Sequence, residues 1–218
     1  MSDTPMHRFG VMFIARTAQS LEATRLLASV GLNGDALTCG RTVVEMTIDF
    51  AYLAQDPRRI DRFGAYVAVN AYWTAEAINR HGADFLRRER PEHLQALFDD
   101  EARFRHDYSN NTQNWAGLGL SRRAEAVGYQ DLYELAYDEM CIASHSGPGT
   151  LDYTIALVDG RRELQYGFLA PDPHPIRVTL AAFARLLVRV ADVCDATTEI
   201  IHRADVLQSR ADEVARSV

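Results

Sequence analysis

Arg41-Thr-Val-Val-Glu45-Met-Thr-Ile-Asp49 sets three charges at four-residue intervals inside a run that is otherwise oily. With 3.6 residues per turn, the three share one helix face. Val43, Val44, Met46, Ile48, Phe50 and Leu53 leave little of the remaining circumference polar. A helix that is apolar nearly all round belongs in the middle of a bundle, so its charged stripe is expected to face partner groups rather than bulk water. The alternative is a solvated stripe carrying one ion pair worth about a few tenths of a kcal/mol. Against that alternative, Arg before Glu is the less favourable order, and Glu45 and Asp49 repel at the same spacing.

A counterpart lies far along the chain in Tyr137-Asp-Glu-Met140-Cys141-Ile-Ala-Ser-His145. His145 falls just before a Gly-Pro-Gly loop, near a helix C-terminus whose carbonyl dipoles favour the protonated imidazole. A carboxylate such as Glu45 would fix its tautomer and raise its basicity. The expectation is an internal network in which Arg41 and Glu45 meet His145 across the bundle, with Asp49, Trp115, Tyr137 and Cys141 as further members. If the network is buried, Glu45→Ala should cost several kcal/mol by stranding Arg41. The plainer reading of His145 is a C-terminal cap or a core histidine.

Outward from these segments, helical periodicity dominates. Thr4-Pro5 suits the start of a first helix, with Phe9, Phe13, Leu26, Leu27 and Val30 as its apolar stripe and Gly31-Leu-Asn-Gly34 as its end. Asp35 is positioned to cap a second helix reaching about Gln55. A third follows from about Arg58 to Arg80, closed by Gly82, and a fourth from about Pro91 to Tyr108. Ser109 to Leu120 reads as a loop in which Trp115 must be anchored. Ser121 is expected to cap a short helix ending at Gly128, and another helix spans about Asp131 to Ser144. Tyr153 to Val158 followed by Asp159-Gly160 is the one β-like signal. A lone hairpin is marginal, so helix or irregular structure is favoured over a short hairpin near 153–168.

Pro171-Asp-Pro-His-Pro175 closes a stiff linker, 169–175, into a long terminal helix, 176–216. There Ile176, Leu180, Phe183, Leu187, Val190, Cys194, Thr197 and Ile201 alternate steps of four and three. Such a seam serves either an ordinary core-facing helix or a homodimer formed through residues 176–201. The expected fold is therefore all-α: a single domain over 1–218, a bundle of about seven helices, with its motif-bearing core at 35–150.

Composition excludes several functions. The chain has 218 residues and a net charge of −7, which argues against broad nucleic-acid binding. The densest basic run, Arg87, Arg88 and Arg90, is broken by Glu89 and reads as a solvated helix end. Three scattered cysteines form no disulfide framework or zinc spacing. No apolar run is long enough for a signal peptide or a membrane span, so a cytoplasmic protein is expected. Glu199-Ile-Ile-His202 has a di-iron spacing but lacks the second motif such sites need, so neither metal nor cofactor is expected. Phosphate-loop, nucleophile-elbow and zinc-protease signatures are missing.

Arg41-x-x-x-Glu45, then Trp115-Ala-Gly, then Tyr137 with Met140-Cys141 and His145, resembles a family of bacterial helical proteins catalogued as a domain of unknown function. That family reads Arg-x-Leu-x-Glu, Trp-Ser-Gly and Tyr-x-x-Leu-Ser-x-x-x-His, so Ala116 and Cys141 stand here where it carries Ser. The resemblance covers roughly 35–150 and implies an all-α fold with no stated activity. A second likeness is to HEPN-like ribonucleases of toxin and antiviral systems, which would use His145 as acid/base and Arg41 as anion clamp, with Glu45 beside them. Their arginine and asparagine positions are Met140 and Cys141 here. The reading carried forward is a binding or regulatory protein that takes a small polar or anionic ligand, with the ribonuclease or hydrolase as its alternative.

Overall fold

Thr4 starts the first helix as its sequence implies: its hydroxyl accepts the His7 N–H at 3.2 Å, with Pro5 in the first turn of α1 (Pro5–Ser29). The computed structural model describes residues 4–82, 115–144, 155–158, 161–164 and 170–193, and single helical positions at 92, 95, 96 and 99. The expected helix over 91–108 otherwise lies outside them, as do His145 and the terminal helix beyond Val193.

The chain reverses at Gly31, whose φ of +80° suits a residue without a Cβ. There Leu32 N–H reaches back to the Leu27 carbonyl at 2.9 Å and Gly31 N–H to that of Ala28 at 3.1 Å. Helix α2 (Asn33–Ala54) follows, so Asp35 sits inside its first turn and is not its cap. Helix α3 is Arg59–His81, closed by a left-handed Gly82. Helix α4 is Leu120–Val127; the chain then turns at Gly128, φ +74°. Helix α5 begins at Gln130–Leu132, widens into a π-turn over Tyr133–Tyr137 and continues as Asp138–Ser144. Helix α6 is His174–Val193, so it starts inside the expected linker.

The segment read as helix or irregular structure instead contains two strands. β1 (Ile155–Val158) pairs antiparallel with β2 (Arg161–Leu164), Ile155 opposite Leu164 and Val158 opposite Arg161. The β-branched and apolar run of β1 outweighs the marginal stability of a two-stranded ribbon. Apart from this ribbon, the described residues are helical, in turns or in short irregular links.

The chain groups into two compact units, Met1–Gln55 with Leu120–Val218, and Asp56–Gly119. In the first, α2 is central and packs against α1, α6, α4 and α5. Leu37, Val43, Val44, Ile48, Phe50 and Leu53 are all but inaccessible, and the Phe13 and Phe50 rings lie 5.4 Å apart. Gly40 lets α6 approach closely, because a Cβ there would collide with Thr179 Oγ1 and come within 3.0 Å of Met140 Cε. Thr47 Oγ1 bridges the same two helices, donating to Val43 O (2.8 Å) and Ala182 O (3.1 Å).

The buried stripe of α1 differs from the expected one. It runs Met6, Gly10, Phe13, Thr17, Ser20, Thr24 and Ala28, while Leu26 and Val30 face water. Small residues allow close helix approach, and the buried hydroxyls are satisfied by their own backbone: Thr17 donates to Phe13 O at 2.7 Å, Thr24 to Ser20 O at 2.9 Å. On α6, Phe183, Leu187 and Val190 are buried, and the helix packs against α1 and α2 within the chain. No described helix is long and apolar enough to cross a membrane.

In the second unit, Ile60 and Ile78 of α3 are buried. Trp115 is 5% exposed and meets the Phe63 ring edge-on at 5.0 Å, which supplies the anchor its loop demanded.

Candidate functional site

The apolar circumference of α2 commits most of its surface to α1 and α6, and the charged stripe is left to α4 and α5. Arg41 Nε donates to Glu45 Oε1 at 2.9 Å. The Tyr137 hydroxyl donates to that same oxygen at 2.7 Å, across 92 residues of sequence. The Arg41 guanidinium also lies over the Tyr137 ring, 5.3 Å from its centroid. Cys141, one turn on from Tyr137, lies close enough to act electrostatically on both Tyr137 and Arg41. Four of the expected residues thus come together from two helices distant in sequence.

Tyr137 closes the π-turn, where the Asp138 N–H reaches back five residues to the Tyr133 carbonyl. A turn of this kind re-aims the side chains that follow it, and such turns are frequent at functional sites. The Tyr133 and Tyr137 rings stack, centroids 5.2 Å apart. Neither the π-turn nor Tyr133 was visible in the hydrophobic periodicity, which reads α- and π-helical turns alike.

The cluster is partly open. Arg41 is 27% and Glu45 36% exposed, so the fully buried pair expected from the sequence is not what forms. Burial, reinforced by the Glu45 hydrogen bond and charge, pushes the Tyr137 phenol well above its ordinary range, although Arg41 pulls the other way. The hydroxyl is therefore a proton donor throughout the neutral range. For Arg41, burial works against the charge, but the hydrogen bond and charge of Glu45 more than offset it and raise its pKa. Among the described residues, Arg41's one hydrogen bond runs through Nε. Its Nη1–Nη2 edge, the fork that takes a carboxylate or phosphate in two parallel hydrogen bonds, takes none.

Asp49 belongs to a different contact. Its Oδ1 lies 3.0 Å from Arg123 Nε on α4, with the side chains 17% and 8% exposed. This is an ion pair by distance rather than a straight hydrogen bond. Arg123 was missed from the sequence. An acid on the inward stripe of α2 requires a buried cation, and Arg123, like Ala124 beside it, is buried. Its neighbour Arg122 pairs in solvent with Glu125 at 2.8 Å.

Of the remaining expected residues, Trp115 lies in the second unit and His145 falls outside the described residues. Met140, at the position where the ribonucleases carry arginine, is completely buried and offers a phosphate nothing. Elsewhere His174 Nε2 lies 2.9 Å from Glu139 Oε2, linking α6 to α5. Cys39 and Cys141 are free thiols, both half-buried. Among the described residues, no three His, Cys, Asp or Glu side chains are placed to hold a metal.

Residues 7–161 match the model of a family of unknown function (DUF5677), an interval that contains the whole run of motifs from Arg41 to His145. No curated protein and no solved structure matches the chain.

Proposed function

The chain belongs to that family of unknown function, and from the geometry of its polar cluster we propose that it is a binding or regulatory protein that holds a small anionic or polar ligand on Arg41. The observation that carries this reading is the posture of Arg41. Glu45 grips its Nε at 2.9 Å and the Tyr137 ring lies beneath it, so the guanidinium is oriented before any ligand arrives. Orientation in advance lowers the entropy that binding must overcome. The Nη edge then presents two parallel donors to a carboxylate or phosphate. Tyr137, Glu45 and Cys141 position the cation and are not its ligand. On this reading His145, next in sequence to Ser144, supplies a second hydrogen-bonding group to the ligand.

Because Glu45 cancels the charge of Arg41, affinity for a simple anion is modest and depends on the fork geometry more than on net charge. Inorganic phosphate is the simplest probe. At constant ionic strength it should raise the thermal midpoint of the wild type and leave that of Arg41→Gln unmoved, with Arg41→Lys showing only part of the gain because a lysine lacks the fork. Equal responses in wild type and Arg41→Gln, or none in either, would overturn the proposal. RNA cleavage by the purified protein, lost in His145→Ala with the fold intact, would replace it with the hydrolase reading.

A further inference from the structure

At the C-terminal end of α2, a cavity of about 200 Å³ opens between that helix, the turn from α4 to α5, and α6. Its apolar wall is Ala51, Val127 and Val188, and its polar wall is Tyr129, Arg189 and Asp192. Gln55 stands at the rim, its Nε2 donating to Ala126 O at 2.7 Å. None of the groups in the Arg41 cluster reaches it.

The charges around this cavity are neutralised unevenly. Arg185, one turn before Arg189 on α6, is gripped by both oxygens of Asp131 at 3.0 and 2.6 Å. Its guanidinium also lies 5.5 Å from the centroid of the Tyr129 ring. Arg185 is therefore committed within the protein. Arg189 is half-buried, yet among the described residues no carboxylate lies within ion-pair distance of it. Asp192 is likewise without an ionic partner among them. At a spacing of three residues on one helix these two would ordinarily pair with each other; here both line the cavity and do not. The Tyr129 hydroxyl forms no hydrogen bond with the described residues either. Burial pushes its phenol pKa up, with Arg189 and Arg185 pulling down and Asp192 and Asp131 pushing up, so the hydroxyl stays protonated in the field of all four.

A half-buried guanidinium lacking a counter-ion is a ready partner for an anion that enters the cavity. Asp192, exposed on the same wall, offers a carboxylate to a cation beside it. One molecule can answer both.

We infer that this cavity binds a small zwitterion, its carboxylate on Arg189, its ammonium on Asp192 and its short aliphatic body against Ala51, Val127 and Val188. Tyr129 hydrogen-bonds to the carboxylate from the turn between α4 and α5. The volume is below that of sites for drug-sized ligands, which limits the occupant to a short amino acid.

The full-length protein is titrated by calorimetry with glycine, β-alanine and γ-aminobutyrate, and in parallel with butyrate and n-butylamine, which carry one charge each. At least one zwitterion should bind about tenfold more tightly than either singly charged compound. Arg189→Gln should abolish that binding. Asp192→Asn should reduce the zwitterion to the level of butyrate while leaving butyrate unchanged. Each variant's thermal midpoint confirms that it is folded, and Arg189→Lys, which keeps the charge, should retain part of the affinity. No saturable heat from any of the three zwitterions overturns the inference, and so does unchanged binding in Arg189→Gln. Butyrate binding as tightly as the best of the three zwitterions overturns the zwitterion assignment. Arg41→Gln should leave this binding intact, which separates the result from the fate of the Arg41 proposal.

Discussion

Asp49 and Arg123 approach to 3.0 Å with little of either side chain reaching water. They are the buried charges of the α2 stripe, whereas Arg41 and Glu45 retain contact with solvent. The stripe therefore has two ends with different work to do. The Asp49 end holds α4 against α2, and the Arg41 end stays open to solvent.

Asp49→Ala should destabilise the protein by about 3–5 kcal/mol, because it takes away the carboxylate that lies 3.0 Å from a buried guanidinium. Urea unfolding measures this directly. Replacing both residues with apolar ones of similar volume should cost less than Asp49→Ala alone. A loss below about 1 kcal/mol for the single change would show that Arg123 finds compensation elsewhere.

Glu45→Ala should cost only about 1 kcal/mol, not the several expected of an enclosed pair. It removes a half-exposed ion pair and one accepted hydrogen bond, and water can take over part of both roles. The same urea measurement applies, and a loss matching that of Asp49→Ala would contradict the observed exposure.

Raising the pH past 10 should weaken the fold through Tyr137. The folded phenol titrates above the ordinary value of 10.0 that it has in the unfolded chain. Its stabilising contribution is therefore complete below that value and is lost as pH rises through the folded one. Tyr129 and Tyr133 are raised too, chiefly by burial, so Tyr137→Phe should shrink the alkaline loss without removing it. Unfolding midpoints between neutral pH and the alkaline range, compared for wild type and Tyr137→Phe, test this. Identical slopes would refute it.

Gly40→Ala should destabilise by about 1–3 kcal/mol, the usual range for overpacking a tight helix contact. The added methyl would strike Thr179 Oγ1 first and crowd Met140 Cε. Thr179→Ala removes the nearest obstacle, so the double variant should be more stable than the sum of the two losses implies. Strict additivity would mean that the helices separate instead.

Some helix ends were legible because their chemistry is local, although the caps expected at Asp35 and Ser121 fall inside their helices. Thr4-Pro5, Gly31, Gly82 and Gly128 each mark a terminus through a cap or a left-handed turn, needing no knowledge of the partner helices. The central position of α2 was legible too, since apolar residues around nearly its whole circumference admit few other placements. The buried face of α1 was not. Large residues such as Leu26 and Val30 looked like the stripe, yet Gly10, Thr17, Ser20 and Ala28 occupy it, because how closely two helices pack is a property of both.

The sequence by itself determined the helical class, the centrality of α2 and the shared face of Arg41, Glu45 and Asp49, all of which follow from a 3.6-residue period. Only the tertiary structure decided that Asp49 parts company with the other two, that Arg123 is its counter-ion, and that Tyr137 completes the Arg41 pair. The reason is physical. Periodicity states which side chains share a face, but the strength of a charge depends on what lies opposite and how much water remains between, and both are set by packing between distant segments.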